Sequence, residues 1–205
     1  MPLTAITAYE SLILQRITQY QPGTKVLVIG GAGGVGSMAI QLLKQLTTAT
    51  VIASASRKES AEWCRSLGAD YVIDHSQDLQ GELGKIGISE VDFVFSTTQS
   101  SRYYELFPKI SRPFGHLCLI DDPDTFDLRP FKPKSIYVNF EFMFTRSMSN
   151  QEPEGQGRLL AHVAQLIDEK KIKTTLNREF AGLEPKNVLE AHRILETGRR
   201  SKFFR

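Results

Sequence analysis

A chain of 205 residues, 41% hydrophobic and 23% charged, has the composition of a soluble globular protein and is long enough for one large domain or two small ones. Its formal net charge of +2 gives no reason to expect nucleic acid or an acidic membrane surface as a partner. No apolar run approaches the roughly 20 residues that cross a bilayer, and the opening Met1-Pro2-Leu3-Thr4-Ala5 has no basic region followed by an apolar block, so the expected compartment is the cytoplasm.

In chain order, Thr4 to Tyr20 reads as a helix with no strand ahead of it. Lys25 to Ile29 is an apolar run of the kind that a strand buried on both faces needs. Val35, Met38, Ala39, Leu42, Leu43 and Leu46 then recur at helical spacing. Val51-Ile52-Ala53 is a second strand, Ser56 to Leu67 a helix, Tyr71-Val72-Ile73 a third strand and Val91 to Phe95 a fourth. Ser101 to Ile110 fits a helix, His116 to Ile120 a fifth strand, and Ser135 to Phe144 a sixth. Two amphipathic helices, Gly155 to Lys170 and about Pro185 to Thr197, close the chain. The alternation predicts an α/β fold of the Rossmann type, a doubly wound parallel sheet with helices on both faces. Ligands of such sheets bind at the carboxyl ends of the strands, where the strand order reverses.

Cys64 and Cys118 are the 2 cysteines and sit in apolar runs, which reads as two buried reduced thiols. The 4 histidines, His75, His116, His162 and His192, are scattered, and no cysteine pair has zinc-ligand spacing. No metal site is expected from this chain.

The sharpest motif is Gly30-Gly31-Ala32-Gly33-Gly34-Val35-Gly36. Gly31, Gly33 and Gly36 form G-x-G-x-x-G between a buried strand and an amphipathic helix. On this reading Gly31 permits the tight turn, Gly33 lets a pyrophosphate approach the backbone, and Gly36 lets helix and strand pack closely. The helix start, through Gly34 and Val35, offers N–H groups and the positive end of the helix dipole to the phosphates. A glycine-rich turn without a ligand is the plainer alternative. A Walker loop is disfavoured, because no Gly-Lys-Ser/Thr follows. A methyltransferase can carry a similar turn but needs an acid ending the second strand, where Ala55 stands.

NAD-selective domains place an Asp or Glu at that position to bind the ribose 2′-hydroxyl. Here Ser54, Ser56, Arg57 and Lys58 surround it, with no acid before Glu59. Two hydroxyls and two cations favour the 2′-phosphate of NADPH. Ser56 and Glu59 also have the spacing of a capping box, a role compatible with phosphate binding.

The segments Leu27 to Gly36, Ala53 to Arg57 and Leu67 to Asp74 together resemble the medium-chain dehydrogenase/reductase superfamily. Gly115 to Pro123 and Phe140 to Arg146 narrow the resemblance to zinc-type alcohol dehydrogenase-like proteins of the quinone oxidoreductase branch. The resemblance implies an oxidoreductase that passes hydride from NADPH to quinones or α,β-unsaturated carbonyls, small electrophilic substrates. It implies nicotinamide-side positions for Thr7, Thr97, Ile120 and Asp121, and an adenosine-side position for His75. Thr7 packing within its helix, and Thr97 forming a strand-end turn, are the alternatives. It further implies that residues 1–20 are a linking helix from a GroES-like catalytic domain, and that residues 21–205 are the NADP-binding Rossmann domain. The substrate wall and any zinc ligands would lie in that other domain, so no catalytic acid, base or metal ligand is named here. The ending Gly198 to Arg205 departs from the family's Gly-Lys-hydrophobic closing strand. A catalytically silent NADPH-binding module, acting as redox sensor or partner subunit, is the alternative function. Finally, Ser135 to Phe144 is rich in β-branched and aromatic residues and predicts an edge strand through which a homodimer forms.

Overall fold

The run from Lys25 to Ile29 forms β1 (Lys25–Ile29) at the centre of a parallel sheet in the computed structural model, which describes residues 2–14, 20–196 and 203–204. The sheet holds β2 (Thr50–Ser54), β3 (Tyr71–Ile73), β4 (Val91–Ser96), β5 (Ser111–Leu119) and β6 (Tyr137–Phe140) in the order β3-β2-β1-β4-β5-β6. Every pairing in it is parallel. The order reverses between β1 and β4, which opens a crevice at their carboxyl ends.

Apolar runs without alternation suit strands covered on both faces. Val26 and Val28 belong to one buried cluster, whereas Leu27 and Ile29 belong to the other. The first face is covered by α1 (Pro2–Tyr9), α2 (Gly34–Leu46), α3 (Lys58–Ser66) and, further along the chain, Leu159, Val163 and Leu166. The second is covered by α4 (Leu79–Lys85), α5 (Ser100–Tyr103), α6 (Phe107–Ile110) and Phe131 of a 3-10 turn, Arg129–Lys134. After β6 come α7 (Thr145–Ser149), α8 (Glu154–Asp168), β7 (Leu176–Arg178), α9 (Pro185–Glu196) and β8 (Phe203–Phe204), the last strand pairing with β7. Leu159, Val163 and Leu166 are the buried side of α8.

Several elements differ from the sequence expectation. The first helix is α-helical only to Tyr9; Glu10–Leu14 form a π-helical turn, and residues 15–19 lie outside the described ones. α4 was not expected, because Gly81 and Gly84 lower helix propensity. Asp78 offsets this by accepting the N–H groups of Gln80 at 3.3 Å and Gly81 at 3.0 Å. The helix expected from Ser101 to Ile110 is split into α5 and α6, since Pro108 has no N–H to donate and is accepted only in the first turn of α6. β5 starts earlier, at Ser111, and β6 is shorter because Ser135 takes a left-handed φ of 48° just before it. Thr197, the expected end of the last helix, lies outside the described residues. Cys64 and Cys118 are buried and form no disulfide, and burial pushes the Cys64 thiol up to about 12. No helix among the described residues is long and apolar enough to cross a membrane.

Candidate functional site

The glycine turn joins β1 to α2 at the reversal point. Its left-handed residue is Gly30, with φ +75°, one position before Gly31. Gly31 is needed for space instead: a Cβ there would lie 2.8 Å from Ala53 Cβ and 3.1 Å from Cys64 Sγ. A Cβ on Gly36 would press on the Gly30 carbonyl and lie 2.8 Å from Gly31 Cα, so α2 and β1 meet backbone to backbone. Gly33 has an extended backbone, φ −72° and ψ 174°, that any residue can adopt. A Cβ there would meet only the Gly30 carbonyl, at 3.2 Å, which leaves the approach to the turn open.

Gly33 is the N-cap of α2 and brings no capping side chain. The first helical bond runs from the Ser37 N–H to the Gly33 carbonyl at 2.8 Å. The N–H groups of Gly34, Val35 and Gly36 therefore have no acceptor within the helix. Together with the helix dipole they fit the pyrophosphate of a dinucleotide.

Ser54 holds the turn from below. Its buried hydroxyl accepts the Gly30 N–H at 3.0 Å, its carbonyl accepts the Gly31 N–H at 3.1 Å, and its Oγ lies 3.3 Å from His75 Nδ1. Ser56, Arg57 and Lys58 are exposed beyond it. The expected capping box is not formed: the N-cap of α3 is Arg57, in extended backbone, without a side-chain cap. The chain stays extended one residue longer than a Ser56 cap requires. His75, after β3, is half-buried, and burial holds its imidazole below its ordinary pKa. Asp74 opposes that shift, while Arg102 and Arg57 add to it. Arg102 on α5 was missed by the sequence reading, because only the fold brings it toward the end of β3.

At the ends of β4 and β5 the named side chains are occupied in fastening the frame. The Thr97 hydroxyl donates to the Ile29 carbonyl at 2.8 Å, tying β4 to β1 beside Gly30. Ile120 donates its N–H to the Ser96 carbonyl at 3.3 Å and extends the ladder by a residue. One oxygen of Asp121 accepts the Ser100 N–H at 2.8 Å and the other accepts the Ser100 hydroxyl, so Asp121 anchors α5. Thr7 is buried on α1, where its hydroxyl donates to the Leu3 carbonyl at 3.0 Å. The site thus gathers Gly31 to Gly36, Ser54, Thr97, Ile120 and Asp121 at the carboxyl edge, with Ser56 to Lys58 and His75 on its outer side.

A buried acid pair also escaped the sequence reading. Glu141 follows β6, and Glu10, 8% exposed in its side chain, lies in the π-helical turn. Arg146 Nε stands 2.7 Å from Glu10 Oε1, and Gln156 Nε2 is 3.4 Å from both Glu10 oxygens. Burial, then the charge of Glu10 and a hydrogen bond to it, push Glu141 up to about 7 against the pull of Arg146. Residues 131 positions apart in sequence leave no local pattern, so only folding pairs these carboxyls.

Three expectations follow. Gly36→Ala should lower stability by about 1–3 kcal/mol through overpacking, read from a denaturant midpoint. Gly33→Val should stay within about 1 kcal/mol of the unmodified protein yet lose dinucleotide binding in calorimetry; retained binding would take the turn out of that role. For Glu141 the folded pKa of about 7 lies above the ordinary 4.5, so the folded state holds the proton more tightly. Its contribution to stability is full below pH 4.5 and is lost as pH rises through about 7. Glu141→Gln should flatten that loss when midpoints at pH 5 and pH 8 are compared, and an unchanged slope would contradict the pairing.

Among the described residues no group of three or more His, Cys, Asp or Glu side chains could hold a metal ion, so the residues present do not fit a zinc site. The model of the zinc-binding dehydrogenase family matches residues 34–155, more than half of the chain. A zinc-type alcohol dehydrogenase-like protein of Staphylococcus aureus strain MSSA476 is 37% identical over 203 residues, covering 96% of this chain and 60% of that protein. A probable quinone oxidoreductase of Leishmania amazonensis is 36% identical over 96 residues, 46% of this chain and 28% of that protein. The crystal structure of a putative zinc-dependent alcohol dehydrogenase from Rhizobium etli CFN 42 superposes with a TM-score of 0.90 at 42% identity, over 97% of this chain and 59% of that one. The chain thus spans about 60% of the length of the curated relatives it matches. With its doubly wound sheet and its glycine turn at the reversal point, the chain belongs to the zinc-binding dehydrogenase family, as a nucleotide-binding domain of medium-chain dehydrogenase/reductase fold.

Proposed function

We propose that this chain is the NADPH-binding part of an oxidoreductase that passes hydride to quinones or α,β-unsaturated carbonyls. The observation that carries the cofactor choice is the end of β2: no carboxylate stands there, and Arg57 and Lys58 are exposed at the start of α3. Neither makes an ion pair or a side-chain hydrogen bond among the described residues. Cations in the first turn of a helix are disfavoured by a few tenths of a kcal/mol, and a bound 2′-phosphate reverses that. The likeness to the probable quinone oxidoreductase supports the class of acceptor.

The cofactor, when bound, supplies the hydride. The chain's own residues bind and orient it. The N–H groups of Gly34, Val35 and Gly36 take the pyrophosphate, and Arg57 and Lys58 take the 2′-phosphate. Thr97 ties β4 to β1 and Asp121 anchors α5, and Ile120 presents an apolar wall on the nicotinamide side. Thr7 supports that wall from α1. In this reading the substrate wall and any zinc ligands stand on residues of a GroES-like catalytic domain outside this chain.

The reading includes a homodimer. β6 is an edge of the sheet, with Tyr137 57% and Phe140 62% exposed. Two copies related by a twofold axis pair these edges antiparallel and bury both aromatics.

Replacing Arg57 by Ala should remove a charge-assisted contact of about 1.5–3 kcal/mol and weaken NADPH by about ten- to hundredfold at 1.4 kcal/mol per decade. NADH should barely change. Calorimetric titration of both cofactors decides it, followed by turnover assays with quinones and enones; equal losses for both cofactors would defeat the assignment. Light scattering at micromolar concentration should give a dimeric mass that Phe140→Lys reduces to a monomer. A monomeric unmodified protein would remove the edge-strand pairing.

A further inference from the structure

Three separate segments at the carboxyl edge set the charge around one imidazole. Arg57 comes from the start of α3, His75 from the loop after β3, and Arg102 from α5. Their arrangement is built. Ser54 Oγ lies 3.3 Å from His75 Nδ1, which fixes the ring against the glycine turn. The Tyr103 hydroxyl donates to the His75 carbonyl at 3.4 Å, which fastens α5 to the loop after β3. The other end of α5 is held by Asp121 through both the N–H and the hydroxyl of Ser100, and Ser96 Oγ lies 2.8 Å from Ser100 Oγ. Arg102 is therefore carried on a short helix pinned at both ends, its guanidinium carbon 5.5 Å from the centre of the Tyr103 ring.

The charges around this ring do not balance. Arg102 and Arg57 both act on His75, and both oppose its protonation. The acid that acts on it is Asp74, whose Oδ1 is already engaged by the Ser76 N–H at 2.8 Å and the Ser76 hydroxyl at 2.7 Å. Neither Arg57 nor Arg102 has an ion-pair partner among the described residues. Arg112, Arg129, Arg146 and Arg158 pair with carboxylates, whereas Arg65 and Arg193 share the lack of an ion pair among the described residues. Arg57 and Arg102 are exposed cations that both act on the one imidazole, and like charges so gathered repel each other, a repulsion that a dianion among them turns into attraction.

We infer that Arg102 is a second guanidinium for the 2′-phosphate of the cofactor, which is held between Arg57 and Arg102 beside the His75 ring. This rests on the NADPH reading above and adds a specificity-determining residue to it. A phosphate ester carries up to two negative charges near neutral pH, more than one exposed arginine neutralises, and forked donors from two sides fix its position as well as its charge. NADH offers a hydroxyl there and leaves both cations uncompensated. Asp121 then acts as a positioning residue: it never touches the phosphate but holds the helix that carries Arg102.

The test is calorimetric titration of the protein with adenosine 2′,5′-bisphosphate, 5′-AMP, NADPH and NADH, for the unmodified chain, Arg57→Ala, Arg102→Gln and Arg102→Lys. Arg102→Gln should weaken the bisphosphate and NADPH by about ten- to hundredfold and leave 5′-AMP and NADH unchanged; Arg102→Lys should recover part of the loss. In the free protein, Arg102→Gln should also raise the His75 pKa followed by NMR, since it removes a positive neighbour. If Arg57→Ala separates NADPH from NADH and Arg102→Gln does not, this inference falls and the NADPH reading stands. Equal weakening of 5′-AMP and the bisphosphate by Arg102→Gln overturns it too, as does an unmoved His75 pKa. If the unmodified protein binds NADH as tightly as NADPH, the NADPH reading fails and takes this inference with it.

Discussion

The backbone of α2 meets the end of β1 with no side chain between them, and the geometry of the carboxyl edge depends on that contact. Gly36 supplies the absence: its missing Cβ is what leaves room for the Gly30 carbonyl and for Gly31 Cα. The turn is then closed by three bonds, Gly30 N–H to Ser54 Oγ, Gly31 N–H to the Ser54 carbonyl and Gly33 N–H to the Gly30 carbonyl at 2.9 Å. Each bond uses a donor that would otherwise have competed for a ligand. What remains unsatisfied are the first N–H groups of α2, aimed at the crevice. Donors left without an acceptor cost free energy, so the turn gains stability when an anion fills it.

Two helices, α2 and α3, begin at this edge without side-chain caps. Their dipoles add a positive potential to the same crevice. Arg57 and Lys58 then place formal charges where the dipole already disfavours them, and Arg102 on α5 adds a third that acts on His75. His75 registers these charges: burial lowers its pKa most, Asp74 and a hydrogen bond with Ser54 oppose that, and Arg102 and Arg57 add to it. Such an accumulation of positive charge at one edge is what the proposed NADPH reading requires.

How much of this could be read from the sequence follows from how local each signal is. β1, the glycine run and α2 are contiguous, so spacing alone revealed them; the positive φ falls at Gly30, one position before Gly31. The missing acid after β2 was equally plain. α4 was hidden because its helix depends on an Asp78 cap and on burial of Leu79 and Leu83 rather than on propensity. Arg102 and the Glu10–Glu141 pair were invisible for a different reason: their meaning lies in partners distant in sequence. Ser54, Thr97 and Asp121 fell between these cases. Their types and positions pointed to the site, but their hydroxyls and carboxylate are turned to the frame.

That division between residues that hold and residues that bind extends to the far edge of the sheet. β6 has only four residues, short for a strand left open on one side. An aromatic row runs across the strands toward it: Tyr20 on Phe93 at 5.2 Å, Phe93 on His116 at 4.8 Å and His116 on Tyr137 at 4.7 Å. Phe93, His116 and Tyr137 stand on β4, β5 and β6 at matching register. Ring stacking contributes about 0.5–1.5 kcal/mol per pair beyond burial, enough to hold a four-residue strand in place where hydrogen bonds on one side alone would let it fray. The row also sets where Glu141 emerges, because its N–H continues the β5–β6 ladder to the Leu119 carbonyl at 2.9 Å. The acid pair with Glu10 thus closes α1 onto the same strand. A protonated Glu141 keeps that pairing free of like-charge repulsion, and its ionisation sets two carboxylates against each other between the π-helical turn and the end of β6.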